Sequence, residues 1–171
     1  KDKIEKEPVP FLIKNFLLGA FGSILITFIL GVLANLIYPL TDDKTVFQHF
    51  IKAFVVVALV EEFSKYVIVK YYAQKNKEFN EPYDGIVYAI VVSMGFAVLE
   101  NVLYIFQYGV TTGILRAFTA VPAHATFAIL MGYFMGKAKF SKNKIQLNLL
   151  GLLVATIFHG FYNFFLFINY I

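Results

Sequence analysis

At the centre of this chain stand the residues Leu59-Val60-Glu61-Glu62-Phe63-Ser64-Lys65-Tyr66, inside an otherwise apolar run that extends from Val46 to Tyr72. A run of that length is typical of a membrane-spanning helix. A charge near the bilayer centre costs ~2.5–3.5 kcal/mol on insertion scales, so it is rare unless it is paired or functional. On a helix Lys65 shares one face with Glu61 and Glu62. Because one lysine cannot neutralise two carboxylates, one acid is left for another role.

The composition is that of an integral membrane protein. Of 171 residues, 59% are hydrophobic and only 15% are charged, far from the balance of a soluble globular protein. With 11 Tyr and no Trp, interfacial anchoring falls to tyrosine. The absence of cysteine excludes disulfides, thiolate metal ligands and a cysteine nucleophile. A net charge of +4 is too small to indicate nucleic-acid binding, so we expect no nucleic-acid partner.

Apolar segments separated by polar loops predict an all-α fold, a polytopic membrane helix bundle with about five transmembrane helices. We predict one integral membrane domain, 1–171, with spans at about 16–38, 46–72, 84–108, 114–136 and 145–168. Pro8 and Pro10 predict that the first ten residues stay outside a helix. Because the first residue is Lys rather than Met, we interpret the sequence as a processed chain or a fragment, to which further spans could belong.

Lysines concentrate in alternate loops. Those on one side are Lys1, Lys3, Lys6, Lys14, Lys70, Lys75, Lys77, Lys137, Lys139, Lys142 and Lys144. The other side has Lys44, Lys52 and Arg116. Because Lys and Arg favour cytoplasmic loops, this asymmetry predicts a cytoplasmic N-terminus and a C-terminus outside.

Three further spans have polar residues at membrane depth. They are Glu100, on a stripe with Ser93 and Gln107; His124, in a row of small residues at every fourth position; and His159 with Asn163, one turn apart. Each has a structural alternative, as a protonated acid or an interhelical hydrogen bond. Since four consecutive spans each bring an inward polar group, the sequence predicts one shared polar cavity, and intramembrane ionisable residues are functional candidates.

Amide hydrolysis inside a bilayer needs an activated water, an oxyanion stabiliser and a cavity that admits both water and peptide. We assign Glu61 and Glu62 jointly as general base and water-holding group, with Glu61 slightly favoured as the base. The remaining roles are distributed over the other spans. Glu100 or His124 would orient the water or protonate the leaving amine, His159 and Asn163 would stabilise the oxyanion, and Lys65 is the charge partner.

The same residues allow a metal-dependent alternative. His124, His159 and Glu62 would bind zinc or another divalent metal, leaving an open position for water. The chain has no His-Glu-x-x-His motif, and the two histidines fall on different spans, so their spacing does not signal a metal site. We therefore favour a metal-free glutamate mechanism without a cofactor.

Two other classes of function compete with hydrolysis. Buried Glu and His residues also mark the pathway of a proton- or ion-coupled transporter. Transporters commonly show repeats or pairs of broken helices, and the sequence shows neither. The third interpretation is a non-catalytic membrane protein that binds the transmembrane helix of a partner.

Four motifs in order on successive predicted spans resemble the PrsW family of bacterial intramembrane proteases. They are Glu61-Glu62-x-x-Lys65, Gly95-Phe96-x-x-x-Glu100-Asn101, His124-Ala125 and His159-Gly160-x-x-Asn163, within about 53–163. That family is related to the CAAX prenyl proteases and to bacteriocin-processing membrane proteases of the glutamic type. The CAAX proteases have Phe-x-x-x-His where this chain has Phe96-x-x-x-Glu100. They also have an Arg after the Glu pair at one residue's greater spacing, where this chain has Lys65.

The resemblance implies a multi-pass intramembrane endopeptidase in the bacterial plasma membrane, with the lipid bilayer as its surroundings. The implied substrate is a membrane-anchored, single-span protein. The best-known activity of the family is site-1 cleavage of an anti-sigma factor, which starts regulated intramembrane proteolysis in a stress response. Family members often have more spans than the five predicted here.

Overall fold

The computed structural model describes residues 6–37 and 45–168, and within them the chain forms six helices and no strands. The helices are α1 (Val9–Ile37), α2 (46–73), α3 (Asp84–Tyr108), α4 (Val110–Phe118), α5 (Ala120–Lys139) and α6 (Lys144–Ile168). The predicted all-α fold is confirmed. Residues 1–5, 38–44 and 169–171, which include Lys1, Lys3, Lys44, Tyr38 and Ile171, lie outside the described residues.

Four helical segments among the described residues are long and apolar enough to cross a membrane. They are Val9–Ile37, Asp84–Tyr108, Val110–Lys139 and Lys144–Ile168. The helix α2 is of similar length, about 40 Å at 1.5 Å per residue, and differs from these four in its charged centre. The total agrees with a fold of about five spans, and the chain is a multi-pass membrane protein.

The first helix begins earlier than the sequence predicted. It starts at Val9 rather than near residue 16, and Pro10 lies in its first turn. The prediction that Pro8 and Pro10 keep the first ten residues outside a helix is therefore wrong for residues 9 and 10. Proline fits the first helical turn because the N–H group that it lacks would have no partner inside the helix there.

The predicted span 114–136 is two helices, since the chain breaks at Thr119 between α4 and α5. Pro122 explains the break, because in a continuous helix its ring would clash with the carbonyl four residues earlier, that of Phe118. Gly109 joins α3 to α4 with a φ of 88°, a left-handed conformation that glycine adopts without strain. The amide of Asn101 donates to the Gly113 carbonyl at 3.1 Å, so α4 folds back along α3.

Small residues bring α3 and α5 into backbone contact. A Cβ added to Gly132 would meet the carbonyl oxygen of Gly85, and one added to Gly136 would meet the carbonyl of Pro82. Close approach through small residues is a common way of packing helices in lipid. The hydroxyl of Ser93 also donates to the carbonyl of His124 at 3.0 Å. Together these contacts fix the position of His124 relative to α3.

The lysine-rich loops lie at one end of the bundle. The Gln74 amide donates to the Met135 carbonyl at 2.8 Å and to Asn148 Oδ1 at 3.0 Å. Lys139 Nζ donates to the Asn76 carbonyl at 2.9 Å. The end of α2, the end of α5 and the start of α6 therefore meet.

Candidate active site

A small pocket lies among helices α2 to α6. Its volume is about 80 Å³, room for a few water molecules. Its polar lining residues are Glu61, Glu100, Tyr104, Arg116, His124, His159, Tyr162 and Asn163. Glu62 and Lys65 do not line the pocket but bond to its histidines from behind. The structure thus brings all of the sequence-predicted site residues together, whereas Gln107 of the predicted stripe is exposed.

Glu62 is the bonded member of the acid pair. It is fully buried, and its Oε1 lies 2.7 Å from Lys65 Nζ and 2.8 Å from His159 Nδ1. Because a carboxylate can only accept, the proton of a neutral His159 lies on Nδ1 and its Nε2 has a free lone pair. Glu62 therefore neutralises Lys65 and sets the orientation of the His159 ring.

Glu61 is the acid without a bond. Its Oε2 is buried and has no hydrogen-bond partner among the described residues. The nearest polar atoms are His159 Nε2 at 3.9 Å and Lys65 Nζ at 4.0 Å, both beyond hydrogen-bonding distance. Glu61 is thus the excess acid that the sequence analysis inferred, and it faces the pocket.

His124 connects the Glu62 side of the pocket to Glu100. Its Nδ1 lies 3.1 Å from Lys65 Nζ, and its Nε2 lies 3.2 Å from Glu100 Oε2. Since an ammonium group only donates, Nδ1 accepts from Lys65 and Nε2–H donates to Glu100. The Lys65 ammonium also lies 4.2 Å from the Phe96 ring centre, a cation–π contact that helps to hold it in place.

Arg116 is a site residue that the sequence did not predict, as are the lining residues Tyr104 and Tyr162. Its Nη2 donates to Glu100 Oε2 at 2.6 Å, and its guanidinium stacks 3.6 Å from the ring centre of Tyr104. In the sequence, Arg116 enters only the charge pattern that predicts the orientation in the membrane. A signal was present, because an arginine within an apolar span is rare unless it has a function or a partner.

The cluster of charged residues in and behind the pocket has an excess of negative charge. Its three carboxylates, Glu61, Glu62 and Glu100, face two permanent cations, Lys65 and Arg116. With both histidines neutral, one negative charge has no counterpart. Since buried charges are normally paired or bound to metals, a cation or a proton is the ligand that this site lacks.

The residues fit a metal ion. Donor atoms of Glu61, His124 and His159, all buried, lie within 4.8 Å of one another. The sequence predicted Glu62 with these histidines, but the structure places Glu61 there, because Glu62 Oε1 is engaged by Lys65 and His159. Glu62 instead has the position of the carboxylate that orients a metal-binding histidine. The unpartnered Oε2 of Glu61 further supports the fit.

This fold and site define the class, a multi-pass helical membrane protein with a buried Glu/His cluster around a small pocket. Residues 7–171 match a family model described as "PrsW family intramembrane metalloprotease". The chain belongs to the PrsW family, as the motifs indicated, and it is an intramembrane peptidase.

Relatives in several bacteria support this assignment. "Protease PrsW" of Geobacillus kaustophilus is 41% identical over 97% of this chain and 71% of the relative. "Protease PrsW" of Clostridioides difficile is 38% identical over 99% of this chain and 73% of the relative. "Protease PrsW" of Bacillus subtilis is 36% identical over 97% of this chain and 74% of the relative. No solved structure matches the chain.

Proposed function

We propose that this chain cleaves a membrane-anchored protein within the membrane, and that Glu61 acts on the attacking water. The observation that supports this role is that Glu61 lines the pocket beside His159 and has a buried, unpartnered Oε2, whereas Glu62, whose Oε2 also lacks a partner, does not line the pocket. A buried polar atom without a partner costs free energy, so its retention needs an explanation. A water molecule bound for reaction would supply the missing hydrogen bond.

The neighbouring residues then divide the other tasks. Glu61 takes a proton from the water, while Glu62 keeps the His159 ring in place. Because Nε2 of the neutral His159 ring bears no proton, we place this histidine beside the water rather than at the oxyanion. Asn163, which lines the pocket, has an amide that donates to the carbonyl oxygen of the substrate.

Glu61 then returns the water proton to the leaving amine. His124 holds the neighbouring charges in place, since its Nε2–H donates to Glu100 and its Nδ1 accepts from Lys65. This assignment keeps Glu100 as the partner of His124 rather than as the base.

We also propose that the active protein binds a divalent metal, in place of the metal-free mechanism that the sequence favoured. Glu61, His124 and His159 would hold it, with His124 binding through a ring nitrogen that has given up its proton. When bound, such a metal polarises the scissile carbonyl and makes a bound water more acidic. The excess negative charge of the cluster in and behind the pocket and the description of the family as metalloproteases support this proposal. A carboxylate has two oxygens, so Glu61 can contact both an ion and the water.

The setting follows from the lysine pattern and the family. We propose one membrane domain in a bacterial plasma membrane, with the N-terminus and the lysine-rich loops in the cytoplasm. The hydroxyl of Tyr88, near the start of α3, donates to the carboxylate of Glu7, which supports an N-terminus at the same end as those loops. From the resemblance, we propose an anti-sigma factor as the substrate, cut at site 1 of regulated intramembrane proteolysis.

A reconstituted system tests the activity and the metal together. The purified protein in lipid vesicles is mixed with single-span proteins, and the products are identified by mass spectrometry. We expect one cut within or beside the span, loss of the cut after chelation, and about one metal ion per active chain. Full activity of metal-free protein would contradict the metal site. Proton uptake without any cleavage would favour the transporter alternative.

A further inference from the structure

Arg116 lines the pocket but has no role in the reaction proposed above. Among the described residues that line the pocket, Arg116 is the one with a permanent positive charge. The other cation of the cluster, Lys65, is 2% exposed and lies behind the histidines, where it bonds to Glu62 and His124. A substrate in the pocket would therefore meet the charge of Arg116 and not that of Lys65.

The guanidinium of Arg116 is fixed in position, but not all of its N–H donors have an acceptor. Nη2 donates to Glu100 and the plane stacks on Tyr104, which together fix its position. Its Nε–H is buried and has no acceptor among the described residues. An arginine has five N–H donors, so pairing with Glu100 leaves donors for another acceptor. This geometry fits a donor that forms its hydrogen bond with an oxygen atom of the substrate.

Resting on the proposed peptidase function, we propose that Arg116 is a catalytic residue that binds the oxyanion of the tetrahedral intermediate through its unpartnered Nε–H. The water oxygen bonds to the carbonyl carbon as Glu61 takes a water proton, and the π electron pair moves to the carbonyl oxygen. Arg116 donates a hydrogen bond to that oxygen and keeps its own proton. The carbonyl then re-forms as the C–N bond breaks, and the amine nitrogen takes the proton that Glu61 accepted from the water.

The other polar groups of the pocket are less suited to this task. His159 Nδ1–H donates a hydrogen bond to Glu62, and His124 Nε2–H donates one to Glu100. Asn163 offers an uncharged amide. A charged donor forms a hydrogen bond roughly twice as strong as a neutral one, and it gains most where charge develops away from water. Arg116 therefore complements Asn163 rather than replacing it.

The test compares Arg116→Lys with Arg116→Gln in the full chain, reconstituted in vesicles with a cleavable single-span substrate. Lysine keeps the charge and the pairing with Glu100 but lacks the Nε–H and the planar fork. We expect Arg116→Lys to lower kcat by about 10²-fold with an unchanged KM, and Arg116→Gln to lower it at least as much. Lys137→Gln is the matched control, because it removes a cation that stacks on Tyr133 at 4.4 Å outside the site, and it should cut at the wild-type rate.

Two results would overturn the inference. If Arg116→Lys cuts at the wild-type rate, Arg116 is only the counter-charge of Glu100. If KM rises while kcat is unchanged, it is a contact for substrate binding. Rates are measured below the melting transition of every variant. If Arg116→Lys does not fold, the activity of Arg116→Ala is measured with and without added guanidinium. Failure of guanidinium to restore cleavage would then contradict the inference. A wild-type protein that does not cut would instead refute the peptidase proposal itself.

Discussion

At the scale of single residues, the adjacent acids Glu61 and Glu62 differ in their contacts. In both acids Oε2 has no hydrogen-bond partner, but Glu62 Oε1 accepts from Lys65 and His159, whereas the nearest polar atoms to Glu61 Oε2 lie 3.9 and 4.0 Å away. The sequence placed both acids and the lysine on one helical face. It could not show which acid takes the lysine, because that choice depends on where α6 brings His159 and where α5 brings His124.

This difference predicts opposite effects on stability. Glu62→Gln removes the counter-charge of a buried lysine, so it should lower the free energy of unfolding by ~3–5 kcal/mol. Glu61→Gln removes an uncompensated charge from the membrane and should leave the melting temperature equal to or above that of the wild type. Thermal melting of both variants in one detergent measures this. Equal losses in the two variants would show that both acids are structural partners of Lys65.

At the scale of helices, apolar length and polar boundaries predicted most of the bundle. The helix α3 has the predicted bounds 84–108, and α6 begins at Lys144 rather than at 145. The errors lie at prolines. Whether Pro10 opens a helix, and whether Pro122 ends one and starts the next, depends on the conformation of the chain before it. Arg116 was missed because its contact with Glu100 depends on how α4 folds back along α3.

The backbone contact between α3 and α5 predicts a sharp effect of a single methyl group. Gly132→Ala would place its Cβ against the Gly85 carbonyl and should destabilise the protein by about 1–3 kcal/mol. Gly31→Ala is the matched control, since its added Cβ has no atom within 4 Å, and it should not destabilise. Melting temperatures compare the two variants. A tolerant Gly132→Ala would mean that the two helices are not in contact there.

At the scale of the whole molecule, the lysine-rich loops share one end of the bundle, as the contact of Lys139 with Asn76 indicates. We predict that this end faces the cytoplasm. The chain has no cysteine, so single cysteines introduced at Lys77 and Lys142 can be labelled without background. An impermeant thiol reagent should reach them only after the membrane is opened. A cysteine at Val110, 63% exposed at the start of α4, should react from outside, and the reverse pattern would invert the orientation.

In the proposed reaction, Glu61 takes the proton of the attacking water. The most direct measurement is single-turnover cleavage of a saturating, labelled single-span substrate by the folded Glu61→Gln variant in vesicles. Glutamine keeps the shape of the side chain but is not a base, so we predict a cleavage rate lower by at least about 10²–10⁴-fold, with substrate still bound. Cleavage by Glu61→Gln at the wild-type rate would show that Glu61 is not the base.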